Sequence, residues 1–369
     1  MFKKVKCVMK NILIVGMSSV LGGVETYIYN LIKYIDKDGL SFDFLVVGEK
    51  SVFEDEINAM FDDGRNHFIY VQNMKKHYFS TNKKLKEMFN SRRYDLIYIN
   101  TVTAARTIYC KYGIEKQNIP LIVHSHSSQG NFFRNINNNL YKRYVNKHSC
   151  FKLACSDLAG EKVFGKNKEE IVIVPNGIDA SRFSYSSLWR EEIRKEHGIS
   201  DNKIVIGHVG RFSAEKNQQF FIELCKKLND DYVFMCIGDG DTKENVIKMI
   251  NDNNLSNRFI ILPVKSDIER YYSAMDIFAM PSLFEGLPIV AVEAQASGLP
   301  IILSSTVSEQ TALSDRCEFV SIDSLDDWIQ AIQVKDISRY EGKKVIIDNK
   351  FEVNETAEMV RKIFDEAML

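Results

Sequence analysis

The chain has 369 residues, of which 45% are hydrophobic and 26% charged, and its net charge is −1 at pH 7. This length predicts roughly two or three domains with their own cores, and the composition excludes disordered and fibrous proteins. The seven cysteines form no CxxC pair, which excludes a disulfide framework and fits the reducing cytoplasm.

Apolar runs of strand length alternate with helical periodicity along the whole chain. The first series lies at 12–15, 42–47, 96–99 and 121–123, and the second at 171–174, 204–209, 232–237, 259–262, 277–280, 300–303 and 317–320. This alternation predicts two doubly wound parallel-sheet domains, with ligands at the carboxyl ends of the strands in a cleft between them. The polar segment 176–200 is predicted to be a linker, and the domains are expected at 1–180 and 181–354.

Gly22 and Gly23 follow the first strand and open a predicted helix that runs through Tyr34. A glycine pair at a helix start lets a phosphate or sugar approach the backbone closely, and it fits a plain tight turn equally well. The sequence contains neither the G-x-G-x-x-G fingerprint nor a P-loop. The pair is therefore a candidate ligand contact only in combination with other motifs.

A short amphipathic helix is predicted over residues 82–93. Leu85, Met88 and Phe89 follow the i, i+3, i+4 spacing of one helix face, and lysines flank them. Residues 1–180 carry 26 Lys and Arg against 18 Asp and Glu, a balance of +8, whereas the remainder has a balance of −9. Two interpretations stay open: the stripe packs into the core, or it enters an anionic membrane that the basic half faces. No segment approaches the ~20 apolar residues of a membrane span.

His124 and His126 follow the fourth apolar run. Strand alternation places them on the same face if the strand extends that far. A histidine just beyond the carboxyl end of a parallel strand is well placed to touch substrate, so His126 is a candidate functional residue. A satisfied structural role is the alternative. We expect no zinc here, because no nearby Asp, Glu or Cys completes a ligand set.

Arg211 and Lys216 flank one strand–helix turn in the second half. Both cations can converge on one anion at the helix start, an arrangement that suits a diphosphate, and salt bridges to local acids are the alternative. Gly238 begins the turn after the next strand. The following Asp239-Gly240-Asp241 matches a D-x-D metal motif, but its position fits a glycine-rich turn beside a nucleotide, so we predict no metal.

Two glutamates lie eight positions apart around a Gly-Leu-Pro turn. The set consists of Glu285, Gly286, Leu287, Pro288 and Glu293. Pro288 is predicted to occupy the first position of a helix that Gly298 closes. The backbone N–H groups of Gly286 and Leu287 are then available to the hydroxyls or phosphates of a ligand. An ordinary strand–turn–helix with a surface glutamate is the alternative.

These motifs together resemble the retaining GT-B glycosyltransferases of family four, also called glycosyl transferases group 1. The motifs are, in order, Gly22-Gly23-Val24-Glu25, His126, Val174-Pro175-Asn176-Gly177-Ile178-Asp179, Gly210-Arg211 with Lys216, Gly238-Asp239-Gly240, Tyr271-Tyr272-Ser273-Ala274-Met275-Asp276, and Glu285 with Glu293. The chain is most similar to bacterial enzymes that build capsular or exopolysaccharide repeat units. One departure is Leu262-Pro263-Val264-Lys265, where the family usually has a glycine.

The resemblance implies a GT-B fold, in which two Rossmann-like domains face a central cleft. A helix within residues 355–369 would cross back to the first domain. The implied reaction moves a sugar from a nucleotide-diphosphate donor, a UDP-sugar, with retained anomeric configuration and without metal or cofactor. The implied acceptor is a glycan or lipid-linked glycan of a bacterial surface polysaccharide, and the implied location is the inner face of the cytoplasmic membrane.

The resemblance also implies roles for individual residues. Arg211 and Lys216 would neutralise the leaving diphosphate, and Glu293 would bind the ribose hydroxyls. His126 and Glu285 would be the catalytic residues in contact with the transferred sugar. The further donor contacts are Gly22, Gly23, Gly238, Val264, Gly286, Leu287 and Pro288. A nucleotide-sugar epimerase of the same shape and a catalytically silent partner subunit stay open as alternatives.

Overall fold

The structure, a computed structural model, describes residues 9–20, 22–61, 64–126, 135–166 and 170–369. The chain divides into two compact units. Unit 1 comprises Met1–Gly177 together with Val353–Leu369, and unit 2 comprises Ile178–Glu352. Each unit contains a parallel sheet with helices packed on it. The prediction of two doubly wound parallel-sheet domains is therefore confirmed.

Unit 1 is built on a seven-stranded sheet. Its strands are β1 (Lys10–Ser18), β2 (Leu40–Val47), β3 (Asn66–Val71), β4 (Leu96–Thr101), β5 (Leu121–Ser125), β6 (Ser149–Ala154) and β7 (Ile171–Ile173). Its helices are α1 (Gly23–Tyr34), α2 (Glu54–Asn58), α3 (Tyr78–Ser91), α4 (Lys111–Gln117), α5 (Asn135–His148), α6 (Asp157–Phe164) and α14 (Val353–Ala367), with a 3₁₀ helix at Ala104–Cys110. The strand order β3-β2-β1-β4-β5-β6-β7 reverses direction between β1 and β4. We call such a reversal the switch point of the sheet, and doubly wound sheets bind their ligands there.

Helices α3 and α14 bury apolar stripes in the core of unit 1. Leu85, Met88 and Phe89 of α3 are buried among side chains from the sheet. The core interpretation of this stripe is therefore confirmed, and the interpretation that it enters a membrane is wrong. Phe364 of α14 packs edge-on against Tyr98 of β4, with ring centroids 5.0 Å apart. No helix in the described ranges is long and apolar enough to cross a bilayer.

Unit 2 is built on a six-stranded sheet. Its strands are β8 (Ile204–Val209), β9 (Tyr232–Ile237), β10 (Phe259–Leu262), β11 (Ile277–Met280), β12 (Ile301–Ser304) and β13 (Cys317–Val320). Its helices are α7 (Ser187–Glu196), α8 (Phe220–Lys227), α9 (Lys243–Asp252), α10 (Ile268–Ala274), α11 (Ile289–Ala296), α12 (Leu325–Val334) and α13 (Gly342–Asp348), with 3₁₀ turns at Ser256–Arg258 and Glu309–Thr311. The order β10-β9-β8-β11-β12-β13 reverses direction between β8 and β11.

The predicted linker over 176–200 is wrong, because most of it is packed structure of unit 2. It contains α7, and the buried guanidinium of Arg194 donates a hydrogen bond of 2.5 Å to Asp276. Arg190 reaches the other carboxylate oxygen of Asp276 at 2.7 Å. The charged composition that suggested a linker therefore comes from arginines that fix α7 to the unit. The apolar run beginning at Ile171 was grouped with the second series of strands, but it pairs with β6 of unit 1, inside the domain expected at 1–180.

Candidate functional site

The turns after β8 and β11 bring the predicted donor-side residues of unit 2 to one edge of the sheet. These strands are neighbours at the point where the strand order reverses, so their carboxyl ends flank a natural ligand crevice. Two contacts join the turns directly. The Leu283 N–H donates to the Glu215 carbonyl at 2.8 Å, and the Asn217 amide donates to the Pro281 carbonyl at 3.2 Å. Asn217 adopts a left-handed conformation with φ of 55°, which asparagine tolerates well.

Lys216 and Glu285 form an ion pair across these two turns. Their side chains are only 17% and 7% exposed, so the pair is largely removed from water. His208 lies near Lys216 and donates from Nδ1 to the Ala279 carbonyl at 2.9 Å. Burial, with the Lys216 charge nearby, lowers the pKa of His208 to about 4, so this imidazole is neutral at pH 7. The ion pair of Lys216 and Glu285 therefore lies beside a neutral imidazole.

Arg211 lies on the same turn as Lys216 but has a different partner. Its side chain is 67% exposed and donates to the Asp241 carboxylate at 3.0 Å. The two cations thus do not share a partner, and each forms a salt bridge to a nearby acid, as the alternative interpretation expected. The first aspartate of the D-x-D segment, Asp239, accepts from the Gly240 N–H at 2.9 Å. No cluster of His, Cys, Asp and Glu capable of holding a metal occurs within the described residues.

Glu293 lies on α11, where its carboxylate accepts a hydrogen bond of 2.8 Å from the Tyr272 hydroxyl. Burial raises the pKa of Glu293 to about 7, while the Tyr272 hydrogen bond and the positive charge of Arg182 oppose that rise. The same Tyr272 hydroxyl lies 3.2 Å from the Val290 carbonyl. The protonation of Glu293 therefore changes within the physiological pH range.

The turn between Glu285 and α11 presents unpaired backbone donors. The N–H groups of Gly286 and Leu287 have no hydrogen-bond partner among the described residues. Pro288 is the N-cap residue, with extended backbone, and α11 begins at Ile289, so its expected place at the first helical position is wrong by one residue. Gly298 follows the helix with φ of +71°, as its predicted closing role requires.

Gly238 and Val264 have different environments at the neighbouring strand ends. A Cβ on Gly238 would lie 2.0 Å from the Gly210 carbonyl oxygen, and its φ of +153° also disfavours any side chain. Close packing of two strand-end loops therefore explains this glycine without a ligand. Val264, which follows β10, exposes 57% of its surface and is sterically open to contact with a ligand.

Gly22 is the N-cap residue of α1 in unit 1 and Gly23 is the first residue of that helix, and the space around the two glycines differs. A Cβ on Gly22 would lie 2.9 Å from Oε2 of Glu25, whose other oxygen accepts from the Ser18 hydroxyl at 2.6 Å. A Cβ on Gly23 would meet nothing within 4 Å. The carboxylate of Glu25 thus lies beside the helix start, whereas the backbone of Gly23 is open to close approach by another molecule.

His126 directly follows β5 and is held by two asparagines. Its Nδ1 lies 2.7 Å from Oδ1 of Asn176, and its Nε2 lies 2.8 Å from Oδ1 of Asn100. Burial lowers the pKa of His126 to about 4, so the ring is neutral at pH 7 and carries one N–H. A 180° rotation of the Asn100 amide would supply the second donor, because its buried Nδ2 has no partner among the described residues. Both ring nitrogens are then occupied by protein groups.

His124 lies next to His126, with ring centroids 4.0 Å apart, which confirms that the two share a face. Its Nε2 donates to the Val174 carbonyl at 3.1 Å, so its Nδ1 accepts from the Tyr98 hydroxyl at 2.7 Å. The Tyr27 hydroxyl completes the chain, 3.0 Å from that of Tyr98. Every polar atom of this buried ring is satisfied, so His124 has a structural role.

Several residues at these sites were not predicted from the sequence. They are Asn100, Arg106, Asn217 and Tyr272. Arg106 donates to the Gly16 carbonyl at 2.9 Å, beside the switch point of unit 1. Asn100 lies at the carboxyl end of β4, and this position was the signal that could have identified it. Tyr272 was noted only as part of a motif, because its contact to Glu293 spans 21 positions.

Two family models match the chain. The model described as Glycosyltransferase Family 4 matches residues 21–182, and the model described as Glycosyl transferases group 1 matches residues 189–316. The first match lies mainly in unit 1 and the second in unit 2. Together they include the turn after β1 and the turns after β8 and β11, which carry the candidate residues described above.

Similar curated proteins and solved structures agree with these models. EpsF of Bacillus subtilis (strain 168), named as a glycosyltransferase, is 28% identical over 78% of this chain and 77% of its own length. The UDP-Gal:alpha-D-GlcNAc-diphosphoundecaprenol alpha-1,3-galactosyltransferase of Escherichia coli is 30% identical over 44% of each chain. The structure of HepE from Anabaena in complex with UDP-glucose superposes with a TM-score of 0.79 at 19% identity, covering 96% of this chain and 99% of that chain.

Proposed function

This chain is a family-four glycosyltransferase of the GT-B fold, and we propose that it transfers a sugar from a UDP-linked donor to a lipid-linked glycan acceptor. The observation that carries the proposal is the group of Lys216, Glu285 and Glu293 at the switch point of unit 2. It combines a cation for a diphosphate with two carboxylates for sugar hydroxyls. The family matches favour transfer over epimerisation, because both models describe glycosyltransferases.

In the proposed donor complex, the diphosphate lies beside Lys216 and Arg211. The Lys216 ammonium exchanges its contact with Glu285 for a phosphate oxygen, and the released carboxylate accepts hydrogen bonds from hydroxyls of the transferred sugar. Positive charge fixed at the leaving group stabilises the transition state, where negative charge develops on the departing diphosphate. The unpaired N–H groups of Gly286 and Leu287 support this placement, because they offer donors that need no rearrangement.

The nucleoside half of the donor is proposed to lie between Glu293 and Val264. The Glu293 carboxylate would accept hydrogen bonds from the ribose hydroxyls, and the exposed side chain of Val264 would contact the base. The further proposed donor contacts are Gly22, Gly23, Gly238 and Pro288. Gly238 packs against the Gly210 carbonyl, which explains why it has no side chain. Its proposed role is therefore to shape the turn beside the donor.

We propose that the anomeric configuration is retained, as the family resemblance implies. The bond from the sugar C1 to the diphosphate breaks, a bond from C1 to the acceptor oxygen forms on the same face, and the acceptor proton passes to the departing phosphate. The proposed role of His126, in unit 1, is that of a neutral group that forms a hydrogen bond with the transferred sugar. It reaches a sugar hydroxyl only if its contact with Asn100 or Asn176 opens, so the asparagines control its part in the reaction.

The acceptor proposal draws on the relatives. The similar galactosyltransferase of Escherichia coli is named for an acceptor that carries a diphosphoundecaprenol lipid. We propose an acceptor of this chemical class for unit 1, in the synthesis of a bacterial surface polysaccharide. A lipid-linked acceptor would place the reaction at the inner face of the cytoplasmic membrane. The excess of basic residues in positions 1–180 supports this location, because anionic headgroups attract it.

A panel of nucleotide sugars tests the proposal. The protein is mixed with UDP-, GDP- and ADP-linked sugars, and its thermal unfolding is followed with each. A UDP-sugar should raise the melting temperature, and the same donor should yield a glycosylated product with a short-chain lipid diphosphate sugar. NMR of the new glycosidic bond should show the donor's configuration. Stabilisation by GDP- or ADP-sugars alone would contradict the UDP assignment, and an inverted product would contradict retention.

A further inference from the structure

Two aromatic side chains project from the first turn of α3 in unit 1. Phe79 is 86% exposed and Tyr78 is 49% exposed, the former being among the most exposed large apolar side chains of the described residues. Their rings pack edge to face with centroids 5.5 Å apart. An exposed phenylalanine leaves a large apolar area in water, which is unfavourable unless a partner covers it.

Lysines surround this aromatic pair. Residues 72–86 contain five lysines and no acidic residue. Lys75 and Lys76 are exposed just before the helix, and neither has an ion-pair partner among the described residues. Lys83 lies four positions after Phe79 on the same helix face; its side chain is 80% exposed and lies 3.9 Å from the exposed carboxylate of Glu87. We call Lys75, Lys76, Tyr78, Phe79 and Lys83 the aromatic–lysine patch.

The patch is held in place by a well-anchored loop. The Met74 N–H donates to the Tyr109 hydroxyl at 3.1 Å, and the Thr81 hydroxyl donates to the Gln72 carbonyl at 3.2 Å. Met74 and Thr81 are themselves buried. The segment therefore presents its aromatic rings from a fixed backbone, and the same anchoring keeps the neighbouring α3 stripe in the core.

The patch also lies at the functional edge of unit 1. It follows the carboxyl end of β3, and in a parallel sheet all carboxyl ends share one edge. That edge carries Gly23 and His126 as well. A molecule or membrane bound at the patch would therefore lie at the same edge of the sheet as Gly23 and His126, in the unit for which we propose the acceptor.

We propose that the aromatic–lysine patch docks the protein on an anionic lipid bilayer, an inference that rests on the proposed lipid-linked acceptor. Aromatic rings prefer the headgroup boundary of a bilayer, and lysines beside them pair with anionic headgroups. Two rings cover too little area for a stable protein interface, whereas shallow insertion into lipid needs no shaped partner. Lys75 and Lys76, which have no ion-pair partner among the described residues, match a negatively charged surface of broad extent.

Vesicle flotation of the full chain tests the patch. Vesicles of phosphatidylcholine alone are compared with vesicles containing 30% phosphatidylglycerol, at about one tenth and one half molar salt, a range over which screening becomes strong. The protein should float only with the anionic vesicles and should detach at high salt. Lys75→Glu/Lys76→Glu should reduce vesicle binding at least about tenfold, since each of the two lysines contributes about fivefold. Tyr78→Ser/Phe79→Ser should reduce it at least about tenfold as well, because the apolar area of two rings is lost.

Matched variants in unit 2 serve as controls. Lys343→Glu/Lys344→Glu makes the same charge change at another exposed lysine pair, and Leu188→Ser removes another exposed apolar side chain. Both should bind vesicles like the parent protein. Equal binding by the patch variants, or equal loss in the controls, would overturn the proposal. Binding to inorganic phosphate or to a protein partner but not to vesicles would overturn it as well.

The donor readout separates this inference from the proposed function. All variants should keep the thermal stabilisation by a UDP-sugar, because the patch is remote in sequence from the donor residues of unit 2. Loss of vesicle binding with donor stabilisation intact supports docking through the patch. Normal donor stabilisation in a protein that ignores anionic vesicles would refute the patch alone, whereas absence of donor stabilisation in the parent would refute the proposed function.

Discussion

Lys216 and Glu285 form an ion pair that joins two turns separated by 69 positions in the sequence. One turn follows β8 and the other follows β11, on either side of the switch point of unit 2. Both residues were predicted to contact the donor, Lys216 at the diphosphate and Glu285 at the transferred sugar. Their contact means that, before donor binds, each charge neutralises the other in a site largely removed from water.

The first prediction concerns the stability of unit 2. Replacing Lys216 by Met, or Glu285 by Gln, leaves the other charge partly buried without this partner, which should lower the free energy of unfolding by about 3 kcal/mol in each case. The double variant Lys216→Met/Glu285→Gln should lose less than the sum of the single losses. Urea unfolding of the four proteins checks this. Additive losses would show that the two charges do not interact.

The second prediction concerns the leaving diphosphate. Lys216→Ala should lower kcat/KM for transfer by about a hundredfold, and the more exposed Arg211 should cost about tenfold when replaced by Ala, or roughly 2.7 and 1.4 kcal/mol. Steady-state kinetics with varied donor measures both. Lys226→Ala, on the solvent side of α8, is the matched control and should be near normal. Near-normal turnover of both site variants would remove the phosphate assignment.

The third prediction follows from the raised pKa of Glu293. Its value of about 7 exceeds the ordinary 4.5, so the protonated form stabilises the fold below pH 4.5, and this contribution is lost as the pH rises through 7. Glu293→Gln should therefore be more stable than the parent at pH 8 by about 3 kcal/mol and similar at pH 4. Thermal unfolding at both pH values checks it. Equal stability at pH 8 would contradict the raised pKa.

Donor affinity should show the opposite dependence on pH. If the ionised Glu293 binds the ribose, KM for the donor should fall as the pH rises from 6 to 8, and Glu293→Gln should abolish this change. Tyr272→Phe removes a hydrogen bond that lowers the pKa of Glu293, so it should move the transition to higher pH. An unchanged profile in Tyr272→Phe would mean that this hydroxyl does not control the carboxylate.

The fourth prediction is that transfer is independent of divalent metal. Asp241 is engaged by Arg211, and Asp239 accepts from the Gly240 N–H, so the D-x-D segment is held by protein contacts. Excess EDTA should leave the initial rate nearly unchanged. If EDTA abolished transfer and added Mn²⁺ restored it, the D-x-D segment would again be a candidate metal site.

The fifth prediction separates two glycines that share the same expected role. Gly238→Ala should unfold at a markedly lower temperature, because its Cβ would lie 2.0 Å from the Gly210 carbonyl. Gly23→Ala meets nothing within 4 Å and should keep the parent stability. If a ligand approaches the backbone of Gly23, its alanine variant should still lose activity. Full activity of stable Gly23→Ala would remove this glycine from the ligand contacts.

Local patterns in the sequence were sufficient for the fold. Most strands are continuous apolar runs because both faces of a parallel sheet are buried, and these runs predicted the positions of β8 to β11 closely. The strand β3 was missed because its residues are only partly buried at the sheet edge, and β6 because it contains Lys152. The arginines of α7 look like a polar linker until Asp276 is known to lie beside them.

The candidate site was predictable in its residue types but not in its contacts. Arg211, Lys216 and Glu285 lie in the turns after β8 and β11, and Glu293 lies inside the helix that follows, as expected. Their partners come from distant positions, and spacing along the chain carries no information about such pairs. The sequence could not show that Lys216 binds Glu285, or that asparagines occupy both nitrogens of His126. The exposure of Phe79 could not be predicted either, because the position of one phenylalanine in the sequence does not show whether it lies at the surface or in the core.

Helix α14 has a consequence for the order in which the protein folds during synthesis. Its residues Ala357, Val360 and Phe364 are part of the apolar core of unit 1, although the rest of that unit lies before residue 178. On the ribosome, unit 2 becomes a complete sequence while unit 1 still lacks this helix. Until residues 353–369 are made, the nascent chain exposes an apolar face of unit 1, and this face is where a chaperone would bind.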